Sequence, residues 1–165
     1  MVGSDEIRVL AAQVLVACQA RRLMVTTAES CTGGMVAAAL TDIPGSSAVV
    51  ERGFVTYSDA AKAEMLGVPA TLIDANGAVS GPVARAMAAG ALANSRADLA
   101  VSITGVAGPG GGSVEKPEGL VHFACARRGA PTMHARIEFG AIGRDQVRAA
   151  SVKQALRMLL NTAEI

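Results

Sequence analysis

A chain of 165 residues with 15 basic and 14 acidic side chains, net charge +1, has the length of one ordinary domain over residues 1–165 and no excess of either charge. The basic residues are spread along the chain, and one Tyr, three Phe and no Trp leave little for base stacking, so a nucleic-acid partner is excluded. Half the residues are hydrophobic, yet no apolar run approaches a bilayer span, which excludes a membrane partner and predicts a cytoplasmic protein with a core of small aliphatic side chains.

Met1 to Glu6 carries two acids and no basic-then-apolar leader pattern. Ile7, Leu10, Ala11, Val14, Leu15 and Cys18 then recur at helical spacing after Ser4-Asp5, predicting an amphipathic helix that ends near Arg21. Arg22 to Thr27 reads as a strand, followed by the polar turn Ala28-Glu29-Ser30-Cys31-Thr32-Gly33-Gly34 and a helix from Met35 that stops around Asp42 to Gly45. Gly53 to Tyr57 reads as a strand. Ser58-Asp59 caps a helix ending at Gly67-Val68-Pro69, and Ser80 with Pro82 opens another running to about Asn94.

Leu99 to Ile103 is a short buried strand, and Thr104 to Ser113 is a glycine-rich loop. Gly119 to Ala126 and Thr132 to Phe139 form a predicted antiparallel hairpin around Arg127-Arg128-Gly129, and Val147 to Leu160 is the closing helix. This alternation predicts an α/β three-layer sandwich: a mixed, mainly parallel β-sheet with one antiparallel hairpin and helices on both faces. Small Ala-rich helix faces leave room for a homo-oligomer, with a dimer favoured.

Three segments carry chemistry: the Ser30 turn, Tyr57 to Lys62, and the loop from Thr104. Each follows a predicted strand, and in α/β sheets ligands bind at the carboxyl ends of strands. A serine hydroxyl needs a base, and no His-Asp pair is evident, so Ser30 with a neutral Lys62 is the economical arrangement, with Tyr57 as a relay and Arg144 or Lys116 as a cation to depress the lysine. Cys31 is a rival nucleophile whose alternative is a small buried hydrophobe. Glu29 fits a base, a substrate ligand or a helix-end partner equally well.

The glycine-rich loop lacks the Gly-Lys-Ser/Thr of a P-loop and the dinucleotide fingerprint, which leaves an anion cradle or a plain connection. Gly143 to Arg148 supplies two guanidinium groups suited to phosphate or to a solvated helix end. Cys18, Cys31 and Cys125 have no metal-ligand spacing, and His122 and His134 read as strand positions; no metal and no cofactor are expected.

The turn Ala28 to Gly34, Gly53-Phe54-Val55-Thr56-Tyr57-Ser58 with Ala61-Lys62, Gly77-Ala78-Val79-Ser80, and Thr104 to Gly111 with Lys116-Pro117 and Gly119 resemble the CinA C-terminal family in order and spacing. The resemblance weakens only before Arg22 and after Arg157. That family includes nicotinamide mononucleotide deamidases, which hydrolyse the carboxamide to nicotinate mononucleotide and ammonia without a metal in pyridine-nucleotide salvage. The resemblance implies a small nucleotide substrate, Ser30 as nucleophile, and Tyr57 and Lys62 as proton-handling partners. It further implies Glu29, Thr32, Gly33, Gly34, Thr104, Gly105, Gly108 and Arg144 as substrate or oxyanion contacts. Longer members carry an N-terminal domain resembling molybdopterin-binding proteins, whose activity is not expected here. The segment Phe139 to Arg144 is slightly longer than the family pattern. A second reading is a catalytically silent nucleotide-binding module tied to competence or DNA damage, and a third is a deamidase for another amide.

Overall fold

The computed structural model describes residues 4–165; residues 1–3 of the predicted unit lie outside the described residues. Helix α1 (Asp5–Arg21) opens with Asp5 and Glu6, acids that suit the positive end of a helix dipole, although the Ser4 side chain makes no capping bond. It ends where Arg22 turns left-handed at φ 56°, its N–H reaching the Cys18 and Gln19 carbonyls. That turn delays the first strand, so β1 is Val25–Glu29 rather than Arg22 to Thr27, and Glu29 belongs to the sheet.

Helix α2 (Met35–Thr41) and a 3-10 turn (Ser46–Ala48) lead to the edge strand β2 (Val50–Val55), which begins and ends earlier than the sequence suggests. In α3 (Asp59–Leu66) the Ser58 hydroxyl accepts the Ala61 N–H, and in α5 (Gly81–Ala93) the Ser80 hydroxyl accepts that of Val83 with Pro82 in the first turn, both as expected of N-caps. Between them lies α4 (Ala70–Asn76), absent from the sequence reading because seven residues between Pro69 and Gly77 bury only Ile73 and carry no side-chain cap.

Strand β3 (Leu99–Gly105) runs two residues longer than expected and absorbs Thr104 and Gly105. The hairpin is β4 (Leu120–Arg127) with β5 (Met133–Glu138), and α6 (Arg144–Ala163) closes the chain, extended at both ends relative to the predicted helix.

The sheet order is β2-β1-β3-β4-β5. β1 pairs in parallel with β2 and β3, whereas β4 pairs antiparallel with β3 and β5, so β4 alone runs against the rest. Side-chain alternation divides the interior. Leu99, Val101, Ile103, Val121 and Phe123 face α1, α2 and α6, while Ala100, Ala124 and Ala126 face α5 with Ala84, Met87 and Ala88. The alanine face lets α5 lie close to the sheet, where the Ser102 hydroxyl donates to the Ala84 carbonyl at 2.6 Å. The same closeness fixes Gly90, since a Cβ there would collide with the Leu66 carbonyl. Among the described residues no helix is long and apolar enough to cross a membrane.

Because β1, β2 and β3 are parallel, their carboxyl ends emerge on one edge at Glu29, Val55 and Gly105, and the Thr104 to Ser113 loop leaves β3 there. The backbone ladder continues past the strand ends, Ser30 N–H to the Ile103 carbonyl and Thr56 N–H to the Glu29 carbonyl. Ser30 and Thr56 are thereby tied to the same edge.

Candidate active site

At this edge a cleft of about 400 Å³ brings together Ser30, Tyr57, Lys62, Thr104, Gly105, Gly108 and Arg144, residues spread over more than a hundred positions of sequence. A wider groove of about 570 Å³ between α1 and α6 is walled by Val9, Val16, Ala17 and Leu160 and presents no nucleophile beside a base.

The floor is Ser30 and Lys62. Lys62 is only 1% exposed, and its Nζ donates to Ser30 Oγ at 3.1 Å and to the Thr56 carbonyl at 3.0 Å. Burial of the ammonium lowers the lysine pKa from its ordinary value, opposed chiefly by the negative charge of Asp59. The depressing agent is desolvation, not a neighbouring cation: Arg144 and Lys116 are engaged elsewhere, and Lys116 donates to the Asn76 carbonyl. A lysine held towards its neutral form within hydrogen-bond reach of a serine is the arrangement that draws a proton off a hydroxyl.

Cys31 also touches the cleft, yet burial pushes its thiol up to about 12, so it is protonated near neutrality. Its carbonyl, with that of Thr32, accepts from the Arg148 guanidinium at 3.1 and 3.3 Å. Arg148 therefore braces the turn that carries Ser30, a role its place near a helix start does not announce.

Glu29, Thr32, Gly33 and Gly34 are not among the cleft-lining residues. Glu29 is fully buried, and its carboxylate accepts the Thr32 hydroxyl at 2.7 Å and the Val36 and Ala37 N–H groups at 2.9 and 3.1 Å. It caps α2, and the helix-start donors predicted to favour an anion are already occupied. Gly33 and Gly34 take φ of +58° and +103°, so their backbone conformation accounts for both glycines, and the Gly33 N–H is committed to the Ser30 carbonyl at 2.9 Å.

The opposite wall is the glycine-rich loop. Thr104 is buried and donates to the Ala78 carbonyl at 2.9 Å, which ties β3 to the segment before α5. Gly105 has no room for a Cβ, which would stand 2.7 Å from Val121 Cγ2 and 2.9 Å from the Leu120 carbonyl. The loop is braced at Gly110, whose N–H donates to Glu118 Oε1 at 2.6 Å, and at Gly108, whose carbonyl accepts from Arg144 Nη1 at 2.8 Å.

Arg144 Nη2 also donates to the Tyr57 hydroxyl at 2.8 Å, so one guanidinium spans the cleft. Tyr57 is 59% exposed and makes no direct hydrogen bond to Ser30 or Lys62 among the described residues. Asp59 is a cleft residue that sequence reasoning used only as a helix cap; its spacing of three from Lys62 on α3 was the available signal. Among the described residues no group of three or more His, Cys, Asp or Glu is placed to hold a metal ion. His122 Nδ1 and His134 Nε2 lie 3.0 Å apart, and burial lowers His122 to about 4, leaving it neutral.

The chain is 53% identical over 155 residues to "Nicotinamide-nucleotide amidohydrolase PncC" of Escherichia coli (strain K12), covering 94% of this chain and 93% of that protein. It is 49% identical over 157 residues to a "CinA-like protein" of Anaeromyxobacter sp. (strain K), covering 95% of this chain and 37% of that longer one. The crystal structure of the competence/damage inducible protein CihA from Agrobacterium tumefaciens superposes with a TM-score of 0.94 at 52% identity, covering 98% of both chains. The CinA C-terminal domain profile matches residues 7–163, and the chain belongs to the CinA C-terminal domain family.

Proposed function

We propose that the protein is a nicotinamide-nucleotide amidohydrolase that converts nicotinamide mononucleotide to nicotinate mononucleotide and ammonia through an acyl-enzyme on Ser30, in pyridine-nucleotide salvage. The observation that carries this is the buried Lys62 Nζ at 3.1 Å from Ser30 Oγ on the cleft floor, in a chain 53% identical to an amidohydrolase of that name.

Ser30 Oγ attacks the carboxamide carbon while neutral Lys62 takes its proton. The tetrahedral adduct collapses as Lys62 returns the proton to the departing nitrogen, releasing ammonia and leaving an ester on Ser30. Water then attacks that ester with Lys62 as base, and the carboxylate product leaves with the serine reprotonated.

The oxyanion falls to backbone N–H groups of the turn beside Ser30, where Ser30 and Cys31 line the cleft; such a donor contributes about 3 to 4 kcal/mol. Arg144, whose two donors span the cleft, receives the phosphate, and Thr104, Gly105 and Gly108 shape the wall against which the nucleotide lies. No step calls for a metal or a cofactor.

The test is ammonia and nicotinate mononucleotide formation from nicotinamide mononucleotide with chelator present, wild type beside Ser30→Ala. Turnover in the variant should fall by a factor of about 10³ or more with the melting temperature retained. Near-normal turnover would remove Ser30 as nucleophile. A folded wild type that binds the nucleotide without releasing ammonia would favour the silent binding module.

A further inference from the structure

The cleft carries a charge pattern that the acyl-transfer steps leave unused. Asp59, the first residue of α3, lines the cleft, is exposed, and forms no ion pair among the described residues. It precedes Lys62 by three positions, so their Cα atoms lie on one helix face, about 4.5 Å apart along the axis. Among the described residues Tyr57 is the one aromatic side chain that lines the cleft, and Arg144 donates to its hydroxyl. The carboxylate and the aromatic ring thus share the cleft with the Ser30–Lys62 floor, and the guanidinium joins the Tyr57 hydroxyl to the glycine-rich wall.

We propose that Asp59 and Tyr57 are specificity-determining residues that recognise a cationic ring, selecting N-substituted pyridinium carboxamides over carboxamides on neutral rings. The proposal rests on the nicotinamide-nucleotide reading and names the feature of the substrate that the site selects. With the carboxamide carbon at Ser30, the ring lies in the cleft that Asp59 and Tyr57 line. Its quaternary nitrogen meets a carboxylate there and the face of Tyr57, the pairing that attracts organic cations. The phosphate at the other end of the nucleotide has the opposite sign and faces Arg144.

The same geometry couples binding to base activation. In the free protein the Asp59 charge favours the protonated lysine. A cationic ring seated beside Asp59 offsets that field, so the substrate itself shifts Lys62 towards the neutral form that catalysis needs.

The experiment compares nicotinamide mononucleotide as substrate with reduced nicotinamide mononucleotide as competitive inhibitor. The latter has the same carboxamide, ribose and phosphate on an uncharged ring. Asp59→Asn should raise KM for the cation by about threefold to tenfold and leave the inhibition constant of the reduced nucleotide within about twofold. It should also move the acid limb of the pH profile of kcat to lower pH, because Lys62 loses a nearby anion, and Asp59→Glu should restore discrimination. Equal weakening of both ligands, or no change in either, overturns the proposal. A wild type that releases no ammonia from nicotinamide mononucleotide overturns the underlying reading instead, before any variant is compared.

Discussion

Lys62 is an ordinary cation by type and a buried base by position. Its folded pKa is lowered from 10.5, so between the folded and unfolded values the unfolded chain holds the proton more tightly, and stability rises with pH across that window. Replacing it by Met removes the penalty. Lys62→Met should lower turnover by about 10²-fold or more, yet melt no lower than wild type near neutrality and with a flatter pH dependence up to about pH 9.5. Melting curves of equal slope for the two proteins would show that Lys62 is not held towards neutrality. Cys31 is the counterpart: its thiol, at about 12 and 6% exposed, should resist iodoacetamide at about pH 8, and activity should persist through the treatment. Rapid inactivation with alkylation mapped to Cys31 would restore it as a nucleophile candidate. Ser30 and Tyr57 were legible as chemistry-bearing types after strands, Lys62 in the helix that follows Tyr57, and Arg144 at the start of the closing helix. The bond from Arg144 to the Tyr57 hydroxyl was not, because hydrogen bonding depends on where two side chains end and spacing constrains only where they start.

At the scale of elements, the turn between β1 and α2 takes its shape from two glycines at positive φ and its hold from the Glu29 carboxylate. Glu29 satisfies one hydroxyl and two helix-start N–H groups from inside the core, and removal of its charge leaves those donors with a weaker acceptor. Glu29→Gln should destabilise the fold by about 1 to 3 kcal/mol in urea unfolding and reduce turnover as the Ser30 turn loosens. An unchanged midpoint would show that the cap is dispensable. Among the described residues, periodicity and turn signals located ten of the eleven α-helices and strands but misplaced most of their edges. A buried Glu ends an apolar pattern on paper and extends the strand in fact, because its charge is neutralised by donors that come from the next element. The short α4 escaped because its stability comes from packing Ile73 against α5 and not from a cap or a periodic face.

Across the whole molecule, the cleft is assembled by side chains from separate parts of the chain, with Arg144 of α6 joining the loop after β3 to the segment before α3. A charge-assisted contact to phosphate at that place predicts that Arg144→Leu raises KM for the nucleotide by about tenfold to a hundredfold, with kcat much less affected and the melting temperature close to wild type. A loss confined to kcat would assign Arg144 to the chemical step instead. The sequence by itself determined the α/β class, the hairpin, the capping serines and the strand-end positions of Ser30, Tyr57 and Thr104, since these follow from local periodicity and turn chemistry. Only the tertiary structure decided that Glu29 is a cap, that Arg148 braces the Ser30 turn, that burial depresses Lys62, and that Asp59 shares its cleft. Each of these depends on desolvation and on partners brought together by the parallel pairing of β1 with β2 and β3, and neither is encoded in the spacing of neighbouring residues.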